Sequence, residues 1–295
     1  MRAYLFPGLK SRQKGMSGTL FDRYSHLTAK ADEVLGYSIK ELCLEDPGGK
    51  LAQTRYHQAA LYVVNALCYL AKAHTDPKPD YVLGQSAAEY DALFASGVVD
   101  FETGLMLVKK RGELMAQAKG GAMAAVNGLT ENKIKEILKQ NNIGSIYIAD
   151  YHSTFQVVIS GPREDILRAE PICLNNGAKY YRVLKANGAF HTPYMEEIKK
   201  EFRNYVRQFK FSDIEIPIIS NVTARPYQQD QVKENMIEQM TRPVRWRESI
   251  RYLLAEGGTA SDFDEIDDGG LSMVKALAIR IENETGPFAL SQEEA

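Results

Sequence analysis

Ser86 lies in the segment GQSAA, residues 84–88, where small residues flank a hydroxyl that could act as a nucleophile. The apolar run before it predicts a short buried strand over 80–84, and good helix formers after it predict a helix. Small neighbours allow the strained strand-turn-helix in which the strand and helix backbones approach closely. Such a turn aims the hydroxyl beyond the sheet edge and directs a helix N-terminal amide at an oxyanion. We therefore predict Ser86 as the nucleophile and the backbone amide of Ala87 as an oxyanion donor.

A serine nucleophile requires a general base, and the chain contains five histidines. His191 lies where a strand ends and a helix is about to begin, a position that suits a base. His57 precedes a helix and His152 lies in a polar turn, so both remain weaker alternatives. His26 and His74 fall on amphipathic helices or their ends and are expected at the surface.

Five segments in chain order resemble the malonyl-CoA:acyl carrier protein transacylases, and especially the discrete trans-acting acyltransferases of modular polyketide synthases. They are GQSAAEYDALFASG with Ser86, LVKKRGELM with Arg111, GAFHTPYM with His191, ISNVTARPY with Asn221, and QMTRPVRWRESIRYL. The resemblance runs from Met1 to about residue 256. It implies a ping-pong reaction in which malonyl-CoA acylates Ser86 with His191 as base. The acyl-serine then passes its malonyl group to the phosphopantetheine thiol of an acyl carrier protein.

The resemblance also implies roles for residues around this dyad. Arg111 would pair with the free carboxylate of the malonyl group, for which a planar guanidinium is suited; the alternative is a further exposed cation beside Lys110. Gln58 would lie near the acyl group, and Phe190 would crowd an α-methyl branch. Asn221 would support the site without reacting. The resemblance implies no metal ion or organic cofactor, since malonyl-CoA is a substrate and phosphopantetheine arrives on the partner.

The chain departs from the family pattern at three places. The first loop reads FPGLKSR instead of FPGQGSQ, although the backbone amide of Leu9 can still serve as the first oxyanion donor. Gln85 and Ala88 replace the usual histidine and glycine around the serine. The acidic segment 263–270 replaces a glycine-rich turn that, in the family, helps to orient the catalytic histidine through a backbone carbonyl. We therefore expect this segment to affect the geometry of His191.

The elements that must position these residues alternate between short apolar runs and helical patterns, which is typical of an α/β protein. Between 122 and 190 the predicted order is βαββαβ, the ferredoxin-like unit, with helices over 131–140 and 163–175 and its second strand over 145–151. A further strand is predicted over 217–220. We predict that this small subdomain interrupts an α/β-hydrolase-like large subdomain with a parallel sheet, formed by residues 1–121 and 191–295.

Composition restricts the classes of function. The chain has 295 residues with 36 Lys and Arg against 38 Asp and Glu, so it has no overall positive field for nucleic acid. Hydrophobic residues make up 44% and charged residues 25%, as in soluble globular proteins. The sequence contains no long apolar run for a membrane span and no signal-peptide core, so we expect a cytoplasmic protein, and a monomer by resemblance. Cys43, Cys68 and Cys173 are expected to be reduced core residues.

Malonyl transfer is the leading function of three that remain open. An acyl-carrier-protein hydrolase would resolve the acyl-serine with water, but it would not need Arg111 for uncharged acyl chains. A catalytically weakened docking homologue would not need Ser86, Arg111 and His191 together. Cations in the segments expected around the cleft predict a basic rim that would face an acidic carrier protein and the CoA phosphates. They are Lys109, Lys110, Lys199, Lys200, Arg242, Arg245, Arg247 and Arg251.

Overall fold

Two β-sheets organise the chain. The computed structural model describes residues 1–8, 18–267 and 272–285. The strands are β1 (Ala3–Phe6), β2 (Tyr81–Gly84), β3 (Gly121–Asn127), β4 (Tyr147–Ser153), β5 (Gln156–Pro162), β6 (Tyr180–Val183) and β7 (Phe263–Glu265). One sheet is parallel with the order β2-β1-β7, and the other is antiparallel with the order β4-β5-β3-β6. This combination confirms the predicted fold class.

Helices surround the parallel sheet and cover one face of the antiparallel one. They are α1 (Gly18–Arg23), α2 (Ser25–Leu35), α3 (Ile39–Glu45), α4 (Thr54–Ala73), α5 (Glu89–Ala95), α6 (Phe101–Met115), α7 (Glu131–Gln140), α8 (Arg163–Asn175), α9 (Glu196–Val206), α10 (Val232–Glu238), α11 (Trp246–Ala255) and α12 (Met273–Thr285). None of the helices in the described part of the chain is both long enough and apolar enough to cross a membrane.

The antiparallel sheet has the predicted ferredoxin-like connectivity. Its elements follow in the order β3, α7, β4, β5, α8 and β6. Residues such as Val126, Ile134 and Ile159 form a hydrophobic core that is separate from the core beneath the parallel sheet. The helices have the predicted bounds, whereas β4 begins and ends two residues later than expected. The subdomain boundaries at 121/122 and 190/191 remain a prediction.

The parallel sheet is buried on both faces. Along β1, Tyr4 and Phe6 pack into the main core, while Ala3 and Leu5 pack on the opposite face with Trp246. This alternation follows from the two-residue period of a strand. The predicted strand at 217–220 is a single parallel bridge between Val82 and Ile218, supported by two backbone hydrogen bonds of 3.0 Å. Strand β2 therefore has a pairing partner on each side, β1 and Ile218, and Ser86 lies just beyond its carboxyl end.

A C-terminal helix that the sequence analysis did not anticipate covers the outer face of this sheet. Helix α12 buries Val274, Ala278 and Ile281 against the cluster that contains Trp246. The spacing of four and three residues places these side chains on one helical face. The acidic segment before α12 caps it, since the Glu265 carboxylate accepts hydrogen bonds from the backbone amides of Met273 and Lys275 at 3.1 and 3.0 Å.

Candidate active site

The turn after β2 has the backbone geometry of a nucleophile elbow. Ser86 has φ of 55°, a left-handed conformation that is costly for a residue with a side chain. At Gly84, an added Cβ would lie 1.9 Å from the carbonyl oxygen of Ala88. Glycine is therefore required at residue 84, whereas Ala88 keeps its methyl group and approaches Gly84 through its carbonyl.

Ser86 and His191 are in direct contact. Ser86 Oγ lies 2.8 Å from His191 Nε2, and His191 Nδ1 lies 2.9 Å from the backbone oxygen of Gln239. A carbonyl oxygen can only accept a hydrogen bond, so Nδ1 must carry the proton. Nε2 then has a free lone pair that accepts the serine hydroxyl proton. This arrangement is a serine hydroxyl bonded to a neutral imidazole base.

The environment of His191 favours its neutral form. Burial above all, and then the positive charge of Arg111, lower the pKa of this imidazole to about 4, against the raising effect of the Gln239 carbonyl. Because the pKa lies well below neutrality, the ring at pH 7 is unprotonated and can accept a proton without first losing one.

The carbonyl that orients His191 is not in the segment where it was expected. The expectation for 263–270 is wrong: the acceptor belongs to Gln239, just after α10, and Glu265 instead caps α12. Residues 268–270 lie outside the described residues. Gln239 was missed because a backbone carbonyl has no side-chain signature, although it opens the segment QMTRPVRW on which the resemblance partly rests.

Arg111 projects from α6 into the interior beside Ser86. Its side chain is completely buried, so the alternative of an exposed cation is wrong. Nη1 donates to Gln58 Oε1 at 2.7 Å, and Nη2 donates to Gln239 Oε1 at 3.0 Å and to Ser86 Oγ at 3.3 Å. Burial lowers the pKa of the guanidinium, but arginine keeps its charge in proteins. All three acceptors are neutral, and they are the side-chain acceptors that Arg111 has among the described residues.

Asn221 holds the backbone of the elbow, in the supporting position expected of it. Its Oδ1 accepts a hydrogen bond from the Ser86 amide at 2.8 Å, and its Nδ2 donates to the Gly84 carbonyl at 2.7 Å. The Asn221 amide in turn donates to Glu89 Oε1 at 2.7 Å. Glu89 was not singled out from the sequence, because an acidic residue in a first helical turn is ordinary.

The departure at Gln85 connects the elbow to the antiparallel sheet. Gln85 Nε2 lies 3.0 Å from both Asp150 Oδ2 and His152 Nε2 of β4. Asp150 and His152 are themselves 3.0 Å apart. His152 is therefore engaged with Gln85 rather than with Ser86, and His57 Nδ1 contacts the Leu51 carbonyl at 2.9 Å. His191 is thus the histidine that the structure brings to Ser86.

The remaining predicted residues differ in how close they come to the reacting groups. Gln58 is buried and contacts Arg111 and, through Nε2, Met115 Sδ at 3.3 Å. Phe190 is buried in the main core, next to His191 in the chain. Ala87 follows Ser86 in the turn, and Leu9 lies outside the described residues. His26 and His74 are exposed, and the three cysteines are buried.

Several cations of the predicted basic rim are paired with carboxylates of this chain. Lys199 lies 2.7 Å from Glu238, and Arg247 lies 2.8 Å from both Glu131 and Glu248. Carboxylates also pair with Lys200 and Arg242. Four of the eight cations are therefore already paired with carboxylates of this chain, and the basic rim stays a prediction. Among the described residues, no group of three or more His, Cys, Asp or Glu side chains is arranged to hold a metal ion.

Comparisons with known proteins agree with this geometry. Residues 3–261 match the family described as acyl transferase domain. The chain is 49% identical to the polyketide biosynthesis malonyl CoA-acyl carrier protein transacylase BaeC of Bacillus velezensis, over 97% of this chain and 98% of that protein. A crystal structure of malonyl CoA-acyl carrier protein transacylase from Burkholderia pseudomallei has a TM-score of 0.91 at 43% identity, covering 96% of this chain and 98% of that one.

A second solved structure contains a carrier protein. It is described as a type II PKS acyl-carrier protein in complex with its malonyl-transacylase. The matching chain has a TM-score of 0.88 and 28% identity, and the match covers 95% of this chain and 93% of that one.

Proposed function

The chain belongs to the acyl transferase domain family, and on that premise we propose that it transfers malonyl groups from malonyl-CoA to the phosphopantetheine thiol of an acyl carrier protein in polyketide biosynthesis. The observation that carries this proposal is the buried guanidinium of Arg111. It lies 3.3 Å from the nucleophile Ser86 and is bonded to neutral acceptors. A substrate that brings a carboxylate to Ser86 would supply the missing negative charge.

In the first half-reaction, Ser86 Oγ attacks the thioester carbonyl carbon of malonyl-CoA. His191 Nε2 takes the hydroxyl proton as the new carbon–oxygen bond forms, and the carbonyl electron pair moves onto oxygen. The amides of Ala87 and Leu9 would donate to this oxyanion. When the carbonyl re-forms, the carbon–sulfur bond breaks, and His191 returns the proton to the CoA sulfur. The products are malonyl-Ser86 and CoA thiol.

In the second half-reaction, the thiol of the carrier-bound phosphopantetheine takes the place of CoA. His191 Nε2 removes the thiol proton, and the thiolate sulfur attacks the ester carbonyl of malonyl-Ser86. The carbon–oxygen bond to Ser86 breaks, and the proton passes back to Oγ. The neutral state of His191 suits both proton removals. Each step uses side chains and backbone amides of this chain together with the two thiols.

Arg111 gives this reaction its preference for a dicarboxylic acyl group. Its Nη1 and Nη2 are held by the amide oxygens of Gln58 and Gln239, so the guanidinium plane is fixed before substrate arrives. A preorganised donor loses less entropy on binding than a mobile one. Phe190 would restrict space for an α-methyl branch, which favours malonyl over methylmalonyl.

Neither alternative function is supported. A docking homologue would not need a serine and histidine 2.8 Å apart. A hydrolase that clears uncharged acyl chains would bury the Arg111 charge without using it, at a cost in stability. The similarity to transacylases, at up to 49% identity among the relatives given above, also favours transfer.

Radiolabelled malonyl-CoA tests the proposal directly. We expect label on the native protein, no label on Ser86→Ala, and transfer of the label to a holo-carrier protein on its addition. Release of the label as free malonate would instead favour the hydrolase. Absence of label from folded native protein would contradict both enzymatic functions.

The proposal extends to the setting of the reaction. We propose a monomeric enzyme that acts in the cytoplasm on carrier domains of a polyketide synthase, and a reaction that needs no metal or organic cofactor. Sedimentation of the purified protein tests the monomeric state. Transfer assays with the carrier domains of one synthase, compared with unrelated carriers, test the choice of partner.

A further inference from the structure

Glu89 places a carboxylate in the interior three residues after the nucleophile. It is the first residue of α5 and is 1% exposed. Oε1 accepts hydrogen bonds from the Asn221 backbone amide at 2.7 Å and from the Tyr227 hydroxyl at 3.0 Å, and Oε2 accepts one from Gln239 Nε2. Burying a carboxylate is costly, and here three donors offset that cost.

The contact with Gln239 determines which way its amide group points. Gln239 Nε2 donates to Glu89 and also to the Ser86 carbonyl at 2.9 Å. Oε1 is therefore directed at Arg111 Nη2, 3.0 Å away. The opposite orientation would bring the amide hydrogens against the guanidinium and the amide oxygen against a carboxylate and a carbonyl. The chemistry of the neighbours thus assigns this amide.

We propose that Glu89 is a positioning residue for the malonyl group: it holds the Gln239 amide in the orientation that offers an acceptor to Arg111, and so fixes the guanidinium beside Ser86. The inference rests on the proposed role of Arg111 in binding the malonyl carboxylate.

The neighbours of Glu89 favour its ionised form. The net pKa of Glu89 is raised to about 7, because burial outweighs the hydrogen bonds from Asn221, Gln239 and Tyr227 and the charge of Arg111, which lower it. Each of these hydrogen bonds is donated to the carboxylate. A proton on Oε2 would meet the amide hydrogens of Gln239, so the carboxylate is the form that this arrangement accommodates.

Glu89→Gln keeps the size of the side chain and removes the second acceptor oxygen. If the new amide oxygen faces the Asn221 amide, its NH2 group faces Gln239, whose amide must rotate and turn its own NH2 towards Arg111. If the new amide is reversed, its NH2 group opposes the Asn221 backbone amide. In the first case Arg111 loses an acceptor and is displaced, and in the second the support of the elbow is disturbed.

The test compares malonyl-CoA and acetyl-CoA as acyl donors for Ser86, because acetyl has no carboxylate for Arg111. For Glu89→Gln we expect the ratio of the two kcat/KM values to shift against malonyl about tenfold, since a hydrogen bond to a charged group contributes roughly 1.5–3 kcal/mol. We expect the double variant Glu89→Gln/Arg111→Ala to show no greater loss of malonyl preference than Arg111→Ala alone, because Glu89 acts through Arg111.

A matched control is Glu234→Gln, which makes the same change at an exposed carboxylate that pairs with Arg203. Its malonyl-to-acetyl ratio should equal that of the native protein. If Glu89→Gln does not fold, Gln239→Met tests the same link, because it removes the amide and leaves the backbone carbonyl to His191. It should lower the malonyl preference by a similar factor.

The outcomes separate this inference from the proposed function. If Arg111→Ala leaves the malonyl-to-acetyl ratio unchanged, the proposed role of Arg111 is wrong. If Arg111→Ala lowers the ratio but folded Glu89→Gln or Gln239→Met keeps the native ratio, the inference about Glu89 is wrong and the proposed function stands. Equal losses with malonyl and acetyl in Glu89→Gln would also contradict a role in positioning Arg111.

Discussion

Two groups of polar side chains flank the nucleophile turn, and they differ in what they can do. On one side Arg111, Gln58 and Gln239 form a fully buried set in which a cation next to Ser86 Oγ is bonded to neutral acceptors. On the other side Gln85 contacts a carboxylate and an imidazole, Asp150 and His152, supplied by the antiparallel sheet. The first group contacts the Ser86 side chain itself. The second consists of Gln85, the residue before Ser86, and its two partners.

We infer that the first group recognises the acyl group of the substrate, whereas the second supports the turn that holds Ser86. The hydrogen-bonding partners of Arg111 are neutral, so a substrate carboxylate can neutralise its positive charge. Asp150 and His152 contact each other and Gln85, so on this side a carboxylate is already paired with an imidazole and an amide. We expect changes on the first side to alter which acyl group is used. Changes on the second side should alter how fast any acyl group is used.

The largest effect is expected at His191, which lies between the two sides. His191→Ala removes the base from Ser86 Oγ, so acylation by malonyl-CoA should slow about 10²- to 10⁴-fold, the usual contribution of a general base. Acetyl-CoA should be affected equally. Rapid-quench measurement of labelled acyl-enzyme gives the rate. His74→Ala is the control, since His74 is exposed and stacks on Tyr24, and its rate should match the native protein.

The next effect tests recognition by Arg111. Arg111→Ala should lower kcat/KM for malonyl-CoA roughly 10- to 100-fold by raising KM and lowering turnover, since a charge-assisted hydrogen bond contributes about 1.5–3 kcal/mol. Acetyl-CoA should be spared. Lys30→Ala, which removes a surface cation of α2 that pairs with Glu33, should leave both donors unchanged. Equal losses for malonyl and acetyl would show that Arg111 does not bind the carboxylate.

These two sides also show what could be predicted from sequence. Ser86 and Gly84 were predictable because an elbow is local, and its need for small residues is visible within five positions. His191 could be ranked first from its place after a strand. The acceptor for the Nδ1 of His191 could not be predicted, because it is the backbone carbonyl of Gln239 and any residue type has a backbone carbonyl. Asp150 was not recognised because its contact with Gln85 depends on how two sheets meet.

The helices and sheets show the same division. The βαββαβ order was predictable because each element has its own hydrophobic period, and α7 and α8 have the expected bounds. Helix α12 was not predicted, although its apolar residues have helical spacing and follow shortly after the acidic segment 263–270. That segment was interpreted by analogy with a turn, whereas Glu265 caps the helix.

A smaller effect is expected on the supporting side. Gln85→Ala should slow acylation about three- to tenfold, since it removes side-chain contacts of the elbow whose net value is roughly 1 kcal/mol. The malonyl-to-acetyl ratio should stay at its native value. Gln156→Ala is the control, because Gln156 contacts His152 at 3.4 Å, on the ring nitrogen opposite Gln85. A shift in the ratio for Gln85→Ala would contradict the separation between recognition and support.

The smallest effect is expected from pH, and it tests the neutral state that burial and the charge of Arg111 impose on His191. A base is active when unprotonated, and burial together with Arg111 lowers the pKa of His191 to about 4. Between pH 7 and pH 5 the neutral fraction therefore falls only from nearly all to about nine-tenths. At an ordinary histidine pKa of about 6.5, the neutral fraction would fall to a few per cent by pH 5.

Modification of Ser86 by an uncharged fluorophosphonate, which does not need Arg111, should thus change less than twofold between pH 7 and pH 5. A fall of tenfold or more, with the protein still folded at pH 5, would mean that burial and the nearby cation do not hold the imidazole neutral. Arg111→Ala should move the lower limb of this profile to higher pH, because it removes a nearby positive charge while the burial of the ring persists.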